Sequence, residues 1–131
     1  MTLKDLSQLY YLNREIERDK AELDALYSRV LRAGSLVMRQ KGYSGFSDKV
    51  ARYAMEIADL KETIDANIQR CFYERARLIR YINDIPDSLT RGIFTLRFEY
   101  GLSWDQVAAG IGGGNTAESV RKRVFRHLKN N

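Results

Sequence analysis

The amino-acid sequence predicts an all-α protein: a long antiparallel helical hairpin of coiled-coil character, then a unit of three shorter helices. Three observations carry this. Apolar residues return every seven positions through both long segments, the spacing of helices that pack along a seam. The only proline of the 131 residues, Pro86, lies between the second long segment and the rest. Finally, residues 102–129 hold two short amphipathic stretches parted by three consecutive glycines. The expected division is residues 1–85 for the hairpin, as an oligomerisation domain, and 86–131 for the C-terminal unit.

The first helix is expected over residues 2–33. Leu9, Ile16, Leu23 and Val30 form one heptad row, Leu12, Leu26 and Ala33 the complementary one, with Asp19 as its polar exception. Gly34 is the expected stop. Residues 34–46 break the period, contain three glycines and read as a loop. There Leu36, Val37 and Met38 are expected to tuck back onto the helices, and Arg39 and Lys41 are two exposed cations. Ser47 is the expected cap of the second helix, with Asp48 in its first turn. Val50, Ile57, Ile64, Cys71 and Leu78 then repeat every seven residues, beside a second row of Ala54, Ile68 and Ile82 that Lys61 and Arg75 interrupt. Two such helices fold back on each other, yet bury only a thin seam. Tyr10, Tyr11, Tyr27, Tyr53 and Tyr73 lie around it, so a second copy of the hairpin is the expected cover, giving a homodimer.

Proline disfavours helix in the residue before it, so the second helix is expected to end near Ile85. A third helix comes next, over about 87–100, with Leu89, Ile93, Leu96 and Tyr100 on one side, and Gly101 closes it. Ser103 and Gln106 have the spacing of a capping box. Trp104, Val107, Ala108 and Ile111 make one apolar stripe, and Gly112, Gly113 and Gly114 end that helix. Asn115 or Thr116 caps the last one. At about 100° per residue, Ala117, Val120, Val124 and Leu128 share its inner face, while Ser119, Lys122, Arg123 and Arg126 point the other way with Lys129 beside them. A short amphipathic helix, a turn and a basic amphipathic helix make a helix-turn-helix pattern.

Charge agrees with that pattern. The net charge is only +5, but residues 119–131 carry Arg121, Lys122, Arg123, Arg126 and Lys129 and no acid, so the remaining residues sum to zero. A basic surface confined to one helix points to a polyanion. A single cysteine, Cys71, forms no internal disulfide and suits a reducing cytoplasm. No signal-peptide or membrane-spanning run is read, and no membrane partner is expected.

The residues Leu96-Arg97-Phe98, Gly101-Leu102-Ser103-Trp104, Val107-Ala108 and Val120 through Leu128 resemble region 4 of sigma-70 factors. More closely, they resemble the region-4-like regulators of phages and prophages, the ArpU/RinA kind of late-transcription activator. The likeness is most specific over residues 87–129, and the turn GGGNT is somewhat longer than its region-4 counterpart. It implies sequence-specific binding of double-stranded DNA, transcriptional activation in the cytoplasm of a bacterial host, and RNA polymerase as a further candidate partner. Residues Thr116 to Lys129 would enter the major groove, where a Lys or Arg can read guanine and a Ser or Asn can bond base edges. Ser119 or Lys122 is the expected reader, and Asn115 and Arg123 are further DNA-binding candidates. Ser103, Arg121 and Lys129 would hold phosphates, and Arg126 is expected to do the same. Two competing readings are a small-terminase-like packaging factor and a module that docks on RNA polymerase.

No catalytic machinery is expected. Cys71 sits on the seam, where a buried inert thiol is the common case. His127 lacks neighbouring zinc ligands and is expected at a phosphate or in solvent. Most of the acids Glu15, Glu17, Asp19, Glu22 and Asp24 are expected on a solvated coiled-coil exterior. The glycines lack the strand and the Lys-Ser/Thr of a phosphate loop. Arg97 is expected to support the fold by pairing with a carboxylate. No cofactor or metal is expected.

Overall fold

The structure, a computed structural model, describes residues 1–39 and 44–130, with side chains over 1–32 and 48–130. The chain is all-α, with no strand among the described residues. Among the described residues five α-helices succeed one another: α1 (Leu3–Arg39), α2 (Ser44–Asn83), α3 (Ser88–Phe94), α4 (Trp104–Ile111) and α5 (Ala117–Asn130), with a π-helical turn at Thr95–Glu99. No described helix is long and apolar enough to cross a membrane.

Several boundaries differ from those expected. α1 continues through Gly34 to Arg39, because one glycine inside a helix costs only about 1 kcal/mol and Leu, Met and Arg around it favour helix. α2 begins at Ser44, so Ser47 lies inside it and does not cap it. The expected tucking of Leu36, Val37 and Met38, and the cations Arg39 and Lys41, lie outside the described side chains.

The chain forms two compact units. One comprises Met1–Arg14 with Phe72–Asn131, the other Glu15–Cys71. These units divide within the two long helices and not at residues 85/86. In the first unit, Leu6 and Leu9 of α1 and Leu78 and Ile82 of α2 share one core with Ile93, Phe94, Phe98, Val107, Val120 and Val124. A three-helix unit of about 45 residues is too small to bury much surface alone. The ends of the long helices supply what it lacks. Leu6 lies outside the heptad rows, and only this core explains its complete burial.

The stretch after α2 is tightly specified. Asp87 caps α3, accepting from the Thr90 N–H at 3.0 Å and the Thr90 hydroxyl at 2.6 Å. Arg91 donates to the Ile85 carbonyl at 2.7 Å. Of Leu89, Ile93, Leu96 and Tyr100, expected on one side of the third helix, Ile93 is buried and Leu89 and Leu96 are half-buried, but Tyr100 is exposed, and Phe94 and Phe98 are buried. The Tyr100 N–H donates to the Thr95 carbonyl, a five-residue spacing that inserts an extra residue in the turn and rotates the residues beyond it. Gly101 has φ 69°, and a Cβ there would stand 2.5 Å from the Tyr10 ring.

In the second unit α1 and α2 run antiparallel. Asp19 and Glu15 both accept from the Asn67 amide, and Lys61 lies over the Tyr27 ring. Ile16, Leu26, Ile57, Ile64 and Ile68 are buried along the seam, whereas Val30 is exposed. Asp19 is buried, in keeping with its place in the heptad row, and Glu15 is half-buried, so these two of the five acids face inward. The Cys71 thiol donates to Glu15 at 2.9 Å. Polar groups in a packed seam need partners, and these supply one another.

Candidate nucleic-acid interface

α4 and α5 are positioned by local chemistry at each end. The Ser103 hydroxyl accepts from the Gln106 N–H at 3.2 Å, and the Ser103 N–H donates to Gln106 Oε1 at 2.9 Å, a complete capping box. Val107 and Ala108 are buried, and Trp104 and Ile111 are half-buried against the same core. Arg97 places its guanidinium 4.3 Å from the centre of the Trp104 indole and donates to the Leu102 carbonyl at 2.7 Å. It thus supports the fold through an aromatic face and a backbone oxygen, not through the expected carboxylate.

The turn between the helices uses all three glycines at positive φ, 70°, 63° and 76° in order. Asn115 closes it: its amide nitrogen donates to the Gly112 carbonyl at 2.7 Å. Thr116 and Ser119 then cap α5 reciprocally, Thr116 Oγ1 accepting from the Ser119 N–H at 3.1 Å and Ser119 Oγ from the Thr116 N–H at 2.9 Å. The Ser119 hydroxyl also donates to the Thr116 carbonyl. Its hydrogen is therefore already used, and a base edge would have to displace that bond.

The basic residues of α5 separate into three groups. Arg123 reaches back to the α3 cap, 3.4 Å from Asp87 and 3.5 Å from the Thr90 hydroxyl. That contact, after the Thr90 hydrogen bonds, helps hold the Asp87 carboxyl below its ordinary value. Arg121 and Lys122 both pair with Glu118, at 3.0 and 3.7 Å. The Arg121 hydrogen bond and charge keep the Glu118 carboxyl below its usual range. Arg126 and Lys129 are exposed and make no ion pair among the described residues. The outward face of α5 thus presents Lys122, Arg126 and Lys129, with Ser103 exposed at the start of α4.

Two features of this face escaped the sequence reading. Glu118 lies just before the all-basic stretch, and its spacing of three and four residues from Arg121 and Lys122 is the signal that marks it. His127 packs against aromatic rings of α2 and α3. It is half-buried, its ring edge-on to Phe94 at 5.2 Å and to Tyr81 at 6.3 Å. Among the described residues no three His, Cys, Asp or Glu side chains converge to hold a metal. No protein family, curated protein or solved structure matches the chain.

Proposed function

We propose that the chain is a sequence-specific DNA-binding transcriptional regulator of the sigma-70 region-4-like kind, a phage- or prophage-encoded activator acting as a homodimer in a bacterial cytoplasm. The observation that carries this is the outward face of α5. Its inner face, Val120 and Val124, is fully buried, so the helix is fixed in rotation and Lys122, Arg126 and Lys129 must project away from the core. A glycine turn sets α5 behind a capped α4, the arrangement that delivers a recognition helix to the major groove. Lys122, one turn into α5, is the candidate base reader, able to donate to guanine. Arg126 and Lys129, further along and uncompensated, suit phosphates. With its hydroxyl committed to the cap, Ser119 contributes to the entry of α5 and less to readout.

Charge reversal tests this reading. Lys122 and Arg126 are exposed, so Lys122→Glu and Arg126→Glu should each move stability by less than about 0.5 kcal/mol. Binding to a duplex selected by the wild-type protein should fall sharply. The Arg126 change should weaken all sequences alike and reduce the salt dependence by about one phosphate contact. The Lys122 change should instead relax the preference at one base pair. A double variant that binds its selected duplex as the wild type does would place the interaction elsewhere.

A further inference from the structure

We propose that Phe125 is a specificity-determining residue of the α5 face: its ring receives the 5-methyl group of a thymine in the major groove, and Arg121 holds the ring in position. The inference rests on the DNA-binding reading and adds to it an apolar contact and the base that would make it. Phe125 is a large apolar side chain left 41% exposed on a helix whose apolar face is otherwise turned inward. The Arg121 guanidinium lies 5.5 Å from the ring centre, and Arg121 is itself anchored by Glu118. A guanidinium on one side of the ring favours that orientation and leaves the rest of its surface available.

The surroundings decide what the ring meets. Lys122 lies three residues before Phe125 on the helix and Lys129 four after, with Arg126 adjacent. An apolar group ringed by cations is poorly suited to an apolar protein partner, because closing such an interface would strip water from charges, those of Arg126 and Lys129 being without an ion pair among the described residues. It suits a surface that is negative overall and apolar at one point. The major groove offers that at thymine, whose methyl group projects between phosphate-lined walls. Three residues along a helix advance about 4.5 Å, against about 3.4 Å per base pair, so the thymine should lie one to two pairs from the base read by Lys122.

The experiment uses the full chain and the tightest duplex that it selects from a random pool, with each thymine replaced in turn by uracil, which lacks only the methyl group. One replacement should weaken wild-type binding about fourfold, the worth of one buried methyl group, and leave Phe125→Ala binding unchanged. Phe125→Leu, still apolar, should retain a measurable part of the discrimination. Unchanged melting temperatures of both variants keep the comparison free of folding effects. Uracil effects that are absent in the wild type, or equal in wild type and Phe125→Ala, overturn the inference while leaving the DNA-binding reading intact. Preferential binding of an acidic peptide through Phe125, with no thymine dependence, overturns it in favour of a protein partner. Failure to bind any duplex removes the DNA-binding reading and this inference together.

Discussion

At the scale of single residues, sequence identity says which chemistry a side chain has, but not which partner it finds. Arg97 was expected beside a carboxylate and instead lies on Trp104. His127 was expected near solvent or a phosphate and instead meets Phe94. Both partners come from other turns or helices, so no local spacing announces them. Cys71 is the opposite case. Its place in an unbroken heptad row foretold burial, and burial, followed by the bond to Glu15, pushes its thiol up from 9.0 to about 11. The thiolate is the nucleophile. Alkylation by iodoacetamide at pH 8 should therefore be slow in the folded protein and fast once it is unfolded; equal rates would contradict the buried seam. The same shift carries a sign for stability. A folded-state pKa above the unfolded one contributes stability that is complete below pH 9.0 and is lost as the pH rises toward about 11. Denaturant midpoints should fall across that interval in the wild type more than in Cys71→Ser.

At the scale of elements, what was legible was what is written locally. The Ser103–Gln106 box, the cap on α5 and the glycine stop after Ile111 all depend on residues within four positions of one another. The end of α1 did not, because Gly34 is a stop signal only when the helix beyond it is unfavourable. Nor did the π-helical turn, which arises from the packing of Phe94 and Phe98 and shifts the face that a uniform period would predict. Within the candidate interface, the positions of Lys122, Arg126 and Lys129 come from helical period, whereas the return of Arg123 to Asp87 needed the fold. The turn itself yields a sharp expectation. Gly112 adopts φ 70° and ψ −153°, a region that essentially only glycine occupies, and nothing lies within 4 Å of where a Cβ would stand. Any penalty for Gly112→Ala is therefore backbone strain, about 1–3 kcal/mol, with no steric part. Thermal melting and DNA binding should both suffer. Retention of both would mean that the turn is free to take another conformation and does not set the angle of α5.

At the scale of the whole chain, charge is distributed unequally between the two compact units. Acids and bases balance over residues 15–71, and the entire +5 falls on residues 1–14 and 72–131. Both units expose large apolar side chains, Leu3, Tyr11, Phe72, Tyr73, Tyr100 and Phe125 in the charged one, but only the neutral unit combines them with zero net charge. Tyr27, Val30, Leu31, Tyr53, Met55 and Leu60 are all exposed in the neutral unit, beside an open apolar cleft lined by Leu23, Leu26, Ala54, Ile57 and Ala58. A pair of helices has no further layer to place over such a face, and a second copy brings an equally apolar one without charge repulsion. The expected particle is a dimer, about twice the 15.2 kDa chain by light scattering at micromolar concentration. Ile64→Asp is a poor probe of it, because Ile64 is 6% exposed within the seam of its own hairpin and a charge there would unfold the chain. Met55→Glu is the better one. Met55 is 67% exposed in the single chain, so its replacement should halve the mass while leaving helical circular dichroism unchanged. A wild-type mass of 15.2 kDa would remove the dimer. A Met55→Glu protein that keeps both its helicity and its doubled mass would move the interface off this face.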